Sequence, residues 1–106
     1  MKVNIEIVIT SAPDNKAKTL ANGLLNHNLA ACINLFQNTT SYFKWKGKIR
    51  EENETIILCK TITPKISGIY KWILKNHPYN TPEIISFTIN NASNKYYKWI
   101  IEEIKF

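Results

Sequence analysis

Apolar and polar residues alternate at the start of the chain, where the apolar positions are Val3, Ile5, Ile7 and Ile9. This period of two predicts a first strand over residues 3–10. The "SAPD" that follows fits a common helix-start pattern, so we expect Ser11 to cap a helix and Pro13 to lie in its first turn. Apolar residues then recur at helical spacing from Ala17 to Leu25, which predicts an amphipathic helix to about His27.

The middle of the chain is rich in β-branched and aromatic residues, as in "AACINLF" and "TTSYFKW". The "KGK" that follows predicts a tight turn in which Gly47 takes the left-handed conformation, and "KIREENETIILCKTI" predicts the returning strand. The two strands form a long hairpin. Strands of this length are seldom regular throughout, so we expect a bend or bulge within residues 36–41.

The pattern of strand, helix and strand then recurs. We expect Thr63 to cap a second helix that has Pro64 in its first turn and ends at Pro78. Residues 83–89 predict a strand, and Ser93 is placed to open a final helix. The order β-α-β-β-α-β plus a C-terminal helix predicts an α+β ferredoxin-like domain over residues 1–106, with a four-stranded antiparallel sheet.

The hairpin is longer than such a domain needs. Its overhang carries Tyr42, Phe43 and Trp45, aromatic residues that a single subunit has nothing to cover. Long exposed strand edges also promote pairing between chains. We therefore expect a homo-oligomer formed through the hairpins.

The composition mainly excludes classes of protein. No apolar run approaches the ~20 residues that span a bilayer, and the N-terminus has a strand pattern rather than that of a signal peptide, so we predict a cytoplasmic protein without membrane insertion. The net charge of +6 comes from lysines spread along the whole chain. Without a basic stripe, we expect no nucleic-acid partner.

The candidate chemistry centres on "NHPYNTPEII", where two prolines frame polar residues. His77 could ligate a metal or act as a base, but it could also satisfy backbone carbonyls at a helix end. Cys32 is a second candidate metal ligand, although its apolar setting favours packing. Tyr79 and Trp45 are candidates to line a cleft, and aromatic residues equally serve packing.

Charged residues near the ends of the predicted strands leave two alternatives open. Glu83 and Lys60 could form an ion pair, or Glu83 could bind a cation while Lys60 and Arg50 receive a small anionic ligand. Residue sets typical of hydrolases, phosphate loops and metalloenzymes do not occur in the sequence. We therefore expect a binding protein and not an enzyme.

Five segments in order resemble the CutA divalent-cation tolerance family: "LAACINL", "KWKGKI", "LCKT", "NHPYNTPEII" and "YYKWI". The resemblance implies an intertwined homotrimer similar to the PII signal proteins, which bind small ligands in clefts between subunits. It also implies a link to tolerance of copper or another divalent cation, and it places His77 in the family's signature segment.

Two departures from the family's copper-linked members weaken the copper hypothesis. Thr10 stands where those members often carry a cysteine, and Asn76 where a second histidine occurs. We therefore expect metal binding to be weak and to depend on His77. The alternative is a structural trimer or signalling module that binds a partner protein without metal.

Overall fold

The secondary-structure elements follow the predicted order in the computed structural model, which describes residues 3–104. They are β1 (Ile5–Ala12), α1 (Asp14–Asn26), β2 (Cys32–Trp45), β3 (Lys48–Ile62), a 3-10 turn (Thr63–Lys65), α2 (Ile66–Asn76), β4 (Ile84–Thr88) and α3 (Asn94–Ile104). One antiparallel sheet has the strand order β2-β3-β1-β4. The predicted α+β ferredoxin-like fold with an added helix is confirmed. Residues 1, 2, 105 and 106 of the predicted domain lie outside the described residues.

Helices α1 and α2 cover one face of the sheet. Their apolar sides pack on inward-facing residues of β1 and β3, and the buried cluster comprises Val8, Ala12, Ala17, Leu20, Leu24, Ala30, Ile57, Cys59, Ile69 and Ile73. The start of α1 is fixed by a hydrogen bond of 2.5 Å from the fully buried Thr55 hydroxyl to the Asp14 carboxylate. The apolar residues that recur at helical spacing in the sequence are thus the ones that α1 and α2 bury against the sheet.

Among residues 3–104, the opposite face of the sheet is covered only at one end. There α3 packs Ile100 and Ile104 against Ile5 and Ile62. We call the remainder the open sheet face; its residues are Ile7, Ile9, Phe36, Ile56, Leu58, Lys60, Ile85 and Phe87, which share rows of the strand register. Three of its apolar side chains are more than half exposed: Phe36 at 53%, Ile85 at 51% and Phe87 at 54%.

The β2–β3 hairpin extends far beyond the helices, and the molecule measures 45 × 25 × 23 Å. Its turn has positive φ at Lys46 (51°) and Gly47 (78°), which agrees with the tight turn predicted from "KGK". The register shifts between Phe36 and Thr39, and Asn38 has a φ of 58°. The predicted bulge within residues 36–41 is confirmed.

Two predicted helix caps are wrong. Ser11 belongs to β1, because Ala12 precedes Pro13 and is held extended, so the strand runs on to Ala12. Thr63 begins a 3-10 turn, and its hydroxyl donates to the Glu6 carboxylate at 2.8 Å instead of capping the helix. Ser93 does act as predicted, since its Oγ accepts the Tyr96 N–H at the start of α3.

Candidate functional site

His77 begins the connector between α2 and β4 and is almost fully buried, with 8% of its surface exposed. The residue before a proline is restricted to extended conformations, and His77 accordingly leaves the helix with φ −76° and ψ 141°. Its Nδ1 accepts the Tyr79 backbone N–H at 3.1 Å. The ring hydrogen therefore lies on Nε2, which donates to the Ser11 carbonyl at 2.7 Å.

Tyr79 is held against His77, with ring centroids 4.9 Å apart. Its hydroxyl donates to Glu54 Oε2 on the hairpin at 2.9 Å. Burial, followed by the hydrogen bond and the negative charge of Glu54, raises the pKa of Tyr79 to about 12. The hydroxyl thus stays protonated at neutral pH and acts as a donor.

Glu83 lies at the far end of the connector, directly before β4. Its carboxylate accepts the Ser11 hydroxyl at 3.5 Å. The predicted ion pair with Lys60 is wrong within one subunit, because Lys60 lies opposite Ile7, four residues along β1 from Ser11. That separation is about 13 Å along a strand. Lys60 Nζ lies 5.9 Å from the centre of the Tyr96 ring instead.

The hairpin and the connector enclose an open cleft of about 860 Å³. Its lining includes four of the predicted ligand-binding residues, Trp45, Arg50, Tyr79 and Glu83, together with Ser11, Pro13, Ser41, Tyr42, Phe43, Glu52, Glu54, Asn80 and Thr81. Lys60, the fifth predicted residue, lies outside this lining on the open sheet face. A volume of this size suits a small-molecule ligand.

The two predicted metal ligands do not meet. Cys32 pairs with Lys60 in the register, whereas His77 contacts Ser11, again about 13 Å further along β1. Both His77 ring nitrogens are already hydrogen-bonded. Within residues 3–104 no three His, Cys, Asp or Glu side chains are grouped so that they could hold a metal ion. One subunit therefore does not provide a fitting metal site around His77 and Cys32.

Sequence reasoning missed the two glutamates on the floor of the cleft, Glu52 and Glu54. Both occur in the run "REENE", which is typical of a solvated hairpin tip. The register places Glu54 opposite Thr39, directly beyond the bulge, where it is only 5% exposed. The predicted bend was the signal that could have identified this position, because it shifts which hairpin residues lie opposite each other.

Together these features define an α+β protein of ferredoxin-like fold whose long hairpin and two-proline connector frame one cleft. Residues 5–103 match the family model described as CutA1 divalent ion tolerance protein. The chain therefore belongs to the CutA1 family, as its sequence motifs predicted.

Individual relatives agree with this assignment. The crystal structure of divalent ion tolerance protein CutA1 from Ehrlichia chaffeensis superposes with a TM-score of 0.93 and 32% identity over 100% of both chains. Protein CutA homolog of Xenopus laevis is 40% identical over 58 residues, and the divalent-cation tolerance protein CutA of Thermus thermophilus is 37% identical over 59. Each alignment covers 55% of this chain, but only 38% and 57% of those relatives' own lengths.

Membrane insertion was not expected from the sequence. In the part of the chain that the structure describes, no helix is both long and apolar enough to cross a bilayer. The cytoplasmic location stays a prediction.

Proposed function

We propose that this protein acts in divalent-cation tolerance as a homotrimer that binds a small ligand in the cleft between hairpin and connector. The observation that carries the proposal is the convergence of Trp45, Arg50, Tyr79 and Glu83 on that cleft. The Tyr79–Glu54 hydrogen bond supports it further, since it ties the connector to the hairpin and gives the site a fixed wall. The role is one of binding rather than catalysis.

The trimer is supported by the open sheet face. Its exposed Phe36, Ile85 and Phe87 form an apolar surface of the kind that marks contact sites between chains. Light scattering should give three times the chain mass of 12.3 kDa. Phe87→Glu should dissociate the assembly, whereas Leu74→Glu, on the exposed side of α2, should leave it intact. A stable wild-type monomer would exclude this proposal.

The ligand proposal is tested by isothermal titration of the purified protein with Cu(II), Zn(II) and a panel of nucleotides. Glu83→Gln should weaken whichever of these binds, and Glu103→Gln, the same change at an exposed position on α3, should not. Equal affinities in the two variants would show that the ligand does not bind in the cleft. A trimer that binds nothing in these titrations would favour the alternative, a scaffold or signalling module for a partner protein.

His77 and Cys32 are not part of the proposed site, since neither contributes to the lining of the cleft. His77→Ala should consequently weaken metal binding only as far as it disturbs Tyr79.

A further inference from the structure

The hairpin leaves the body of the subunit at one definite level, that of Thr55 on β3. Strand β1 ends at Ala12, whose partner in the register is Thr55. The register of β2 shifts at the same level, between Phe36 and Thr39. Beyond this level β3 pairs only with β2 among the described residues. We call this part of the hairpin, residues 39–54, the hairpin arm.

The hairpin arm is a two-stranded ribbon with few contacts that could fix its direction. Every residue from 42 to 53 is exposed. Two-stranded ribbons are only marginally stable alone, and they twist more than strands inside a wider sheet. The bulge at the base bends the ribbon further. The direction of the arm relative to the body therefore depends on contacts at its base.

Side chains hold the base of the arm from both faces of the sheet. Glu54 and Thr55 are neighbours on β3, so their side chains point to opposite faces. On the helix-covered face, the Thr55 hydroxyl donates to Asp14 at the start of α1. On the other face, Glu54 accepts the Tyr79 hydroxyl at 2.9 Å. Glu54 is only 5% exposed and Thr55 is fully buried, so water competes little for either bond.

The two contacts hold different parts of the hairpin. Thr55 lies in the part of β3 that pairs with β1, which already belongs to the body. Glu54 lies in the arm. Among residues 3–104, its bond to Tyr79 is the one side-chain hydrogen bond between the arm and an element outside the hairpin. Tyr79 is itself held by His77, which is bonded to the Ser11 carbonyl of β1.

We propose that Tyr79 positions the hairpin arm for assembly: its bond to Glu54 holds the arm of the free subunit in the direction that it has in the homotrimer. Assembly then costs less, since the arm is ordered before the subunits meet. An arm without this bond samples other directions, and only subunits with the correct one can assemble. The inference rests on the homotrimer of the proposed function and names the residue that prepares each subunit for it.

The test is the rate at which the protein assembles after dilution from urea, followed by timed crosslinking at several protein concentrations. Tyr79→Phe removes only the hydroxyl that binds Glu54. Loss of a hydrogen bond to a charged group should lower the population of correctly directed arms about tenfold. Each encounter needs more than one such arm, so the concentration-dependent phase should slow by at least about tenfold.

Two further variants complete the test. Tyr70→Phe is the matched control, because it removes the same hydroxyl from a hydrogen bond of 2.9 Å to Ser86, away from the hairpin. It should change the assembly rate by less than about twofold. Glu54→Gln keeps an acceptor for Tyr79 but removes the charge, so it should slow assembly less than Tyr79→Phe does. It also keeps the proposal testable should Tyr79→Phe fail to fold.

The outcomes separate this inference from the homotrimer itself. If the parent chain forms no crosslinked trimer, both proposals fail. If the parent forms trimers and Tyr79→Phe assembles at the same rate, the homotrimer stands and the positioning role of Tyr79 is wrong. A lower melting temperature of Tyr79→Phe with an unchanged assembly rate would show that the bond only stabilises the subunit. Equal slowing in Tyr79→Phe and Tyr70→Phe would also overturn the proposal.

Discussion

Replacement of His77 by phenylalanine tests whether this histidine is a structural link or a metal ligand. The ring shape is kept, but the Ser11 carbonyl loses its donor and the Tyr79 N–H its acceptor, bonds of 2.7 and 3.1 Å in the structure. His77 and Ser11 are both more than 90% buried. An unsatisfied buried group costs about 1–3 kcal/mol. Because the Ser11 carbonyl is buried and the Tyr79 N–H only partly buried, the two losses together should cost about 2–4 kcal/mol.

For a chain of this length, such a loss lowers the melting temperature by about 10–20 °C. The measurement is a thermal melt in metal-free buffer at one fixed protomer concentration, because the stability of an assembly depends on concentration. His27 provides the matched control. It is exposed directly after α1, and its ring makes only a surface hydrogen bond to the Gly23 carbonyl, so His27→Phe should lower the free energy of unfolding by no more than about 1 kcal/mol.

A metal-ligand role for His77 predicts the opposite pattern. The variant would then melt like the parent in metal-free buffer and would differ only after Cu(II) or Zn(II) is added. That result would refute the argument from the two hydrogen bonds and would support His77 as a metal ligand.

Two further predictions follow from close contacts. Gly23→Ala should destabilise the protein by about 1–3 kcal/mol, because the new Cβ would lie 2.4 Å from the Trp72 ring. This cost exceeds the gain from the better helix propensity of alanine. In a double-mutant cycle of thermal melts, adding Trp72→Leu should restore most of the lost stability. The pKa of Tyr79 is raised from 10.0 to about 12, so its contribution to stability is complete below pH 10 and is lost as the pH rises to about 12. The fall in melting temperature over that range should be smaller in Tyr79→Phe, and an unchanged fall would show that Tyr79 does not cause it.

The fold could be predicted because its signals are local. Gly47 marks the hairpin turn, and the matching apolar periods of α1 and α2 indicate two helices on one side of a sheet. The bulge near Asn38 also followed from the unusual length of the strand. Each of these depends on a few neighbouring residues and on backbone sterics, which a single sequence contains.

The site was harder to predict because it depends on register. Lys60 and Glu83 both lie at strand ends in the sequence, and it was natural to pair them. In the sheet, β1 stands between their strands and places Lys60 opposite Ile7, far from Glu83. Glu54 was missed for a related reason. It belongs to an acidic run of the kind that is usually exposed to solvent, but the register beyond the bulge places it where it is buried. No local pattern encodes these long-range pairings.

The two-proline connector fixes the position of the His77 side chain. Pro78 forces His77 out of the helix, and His77 is then fixed by the Ser11 carbonyl of β1. From that fixed point His77 accepts the Tyr79 N–H, and the Tyr79 hydroxyl reaches Glu54 across the cleft. A histidine with both nitrogens used in this way orients Tyr79 and, through it, the buried carboxylate of Glu54. Within one subunit, the motif that suggested metal chemistry in the sequence is therefore a structural link between β1, the connector and the hairpin.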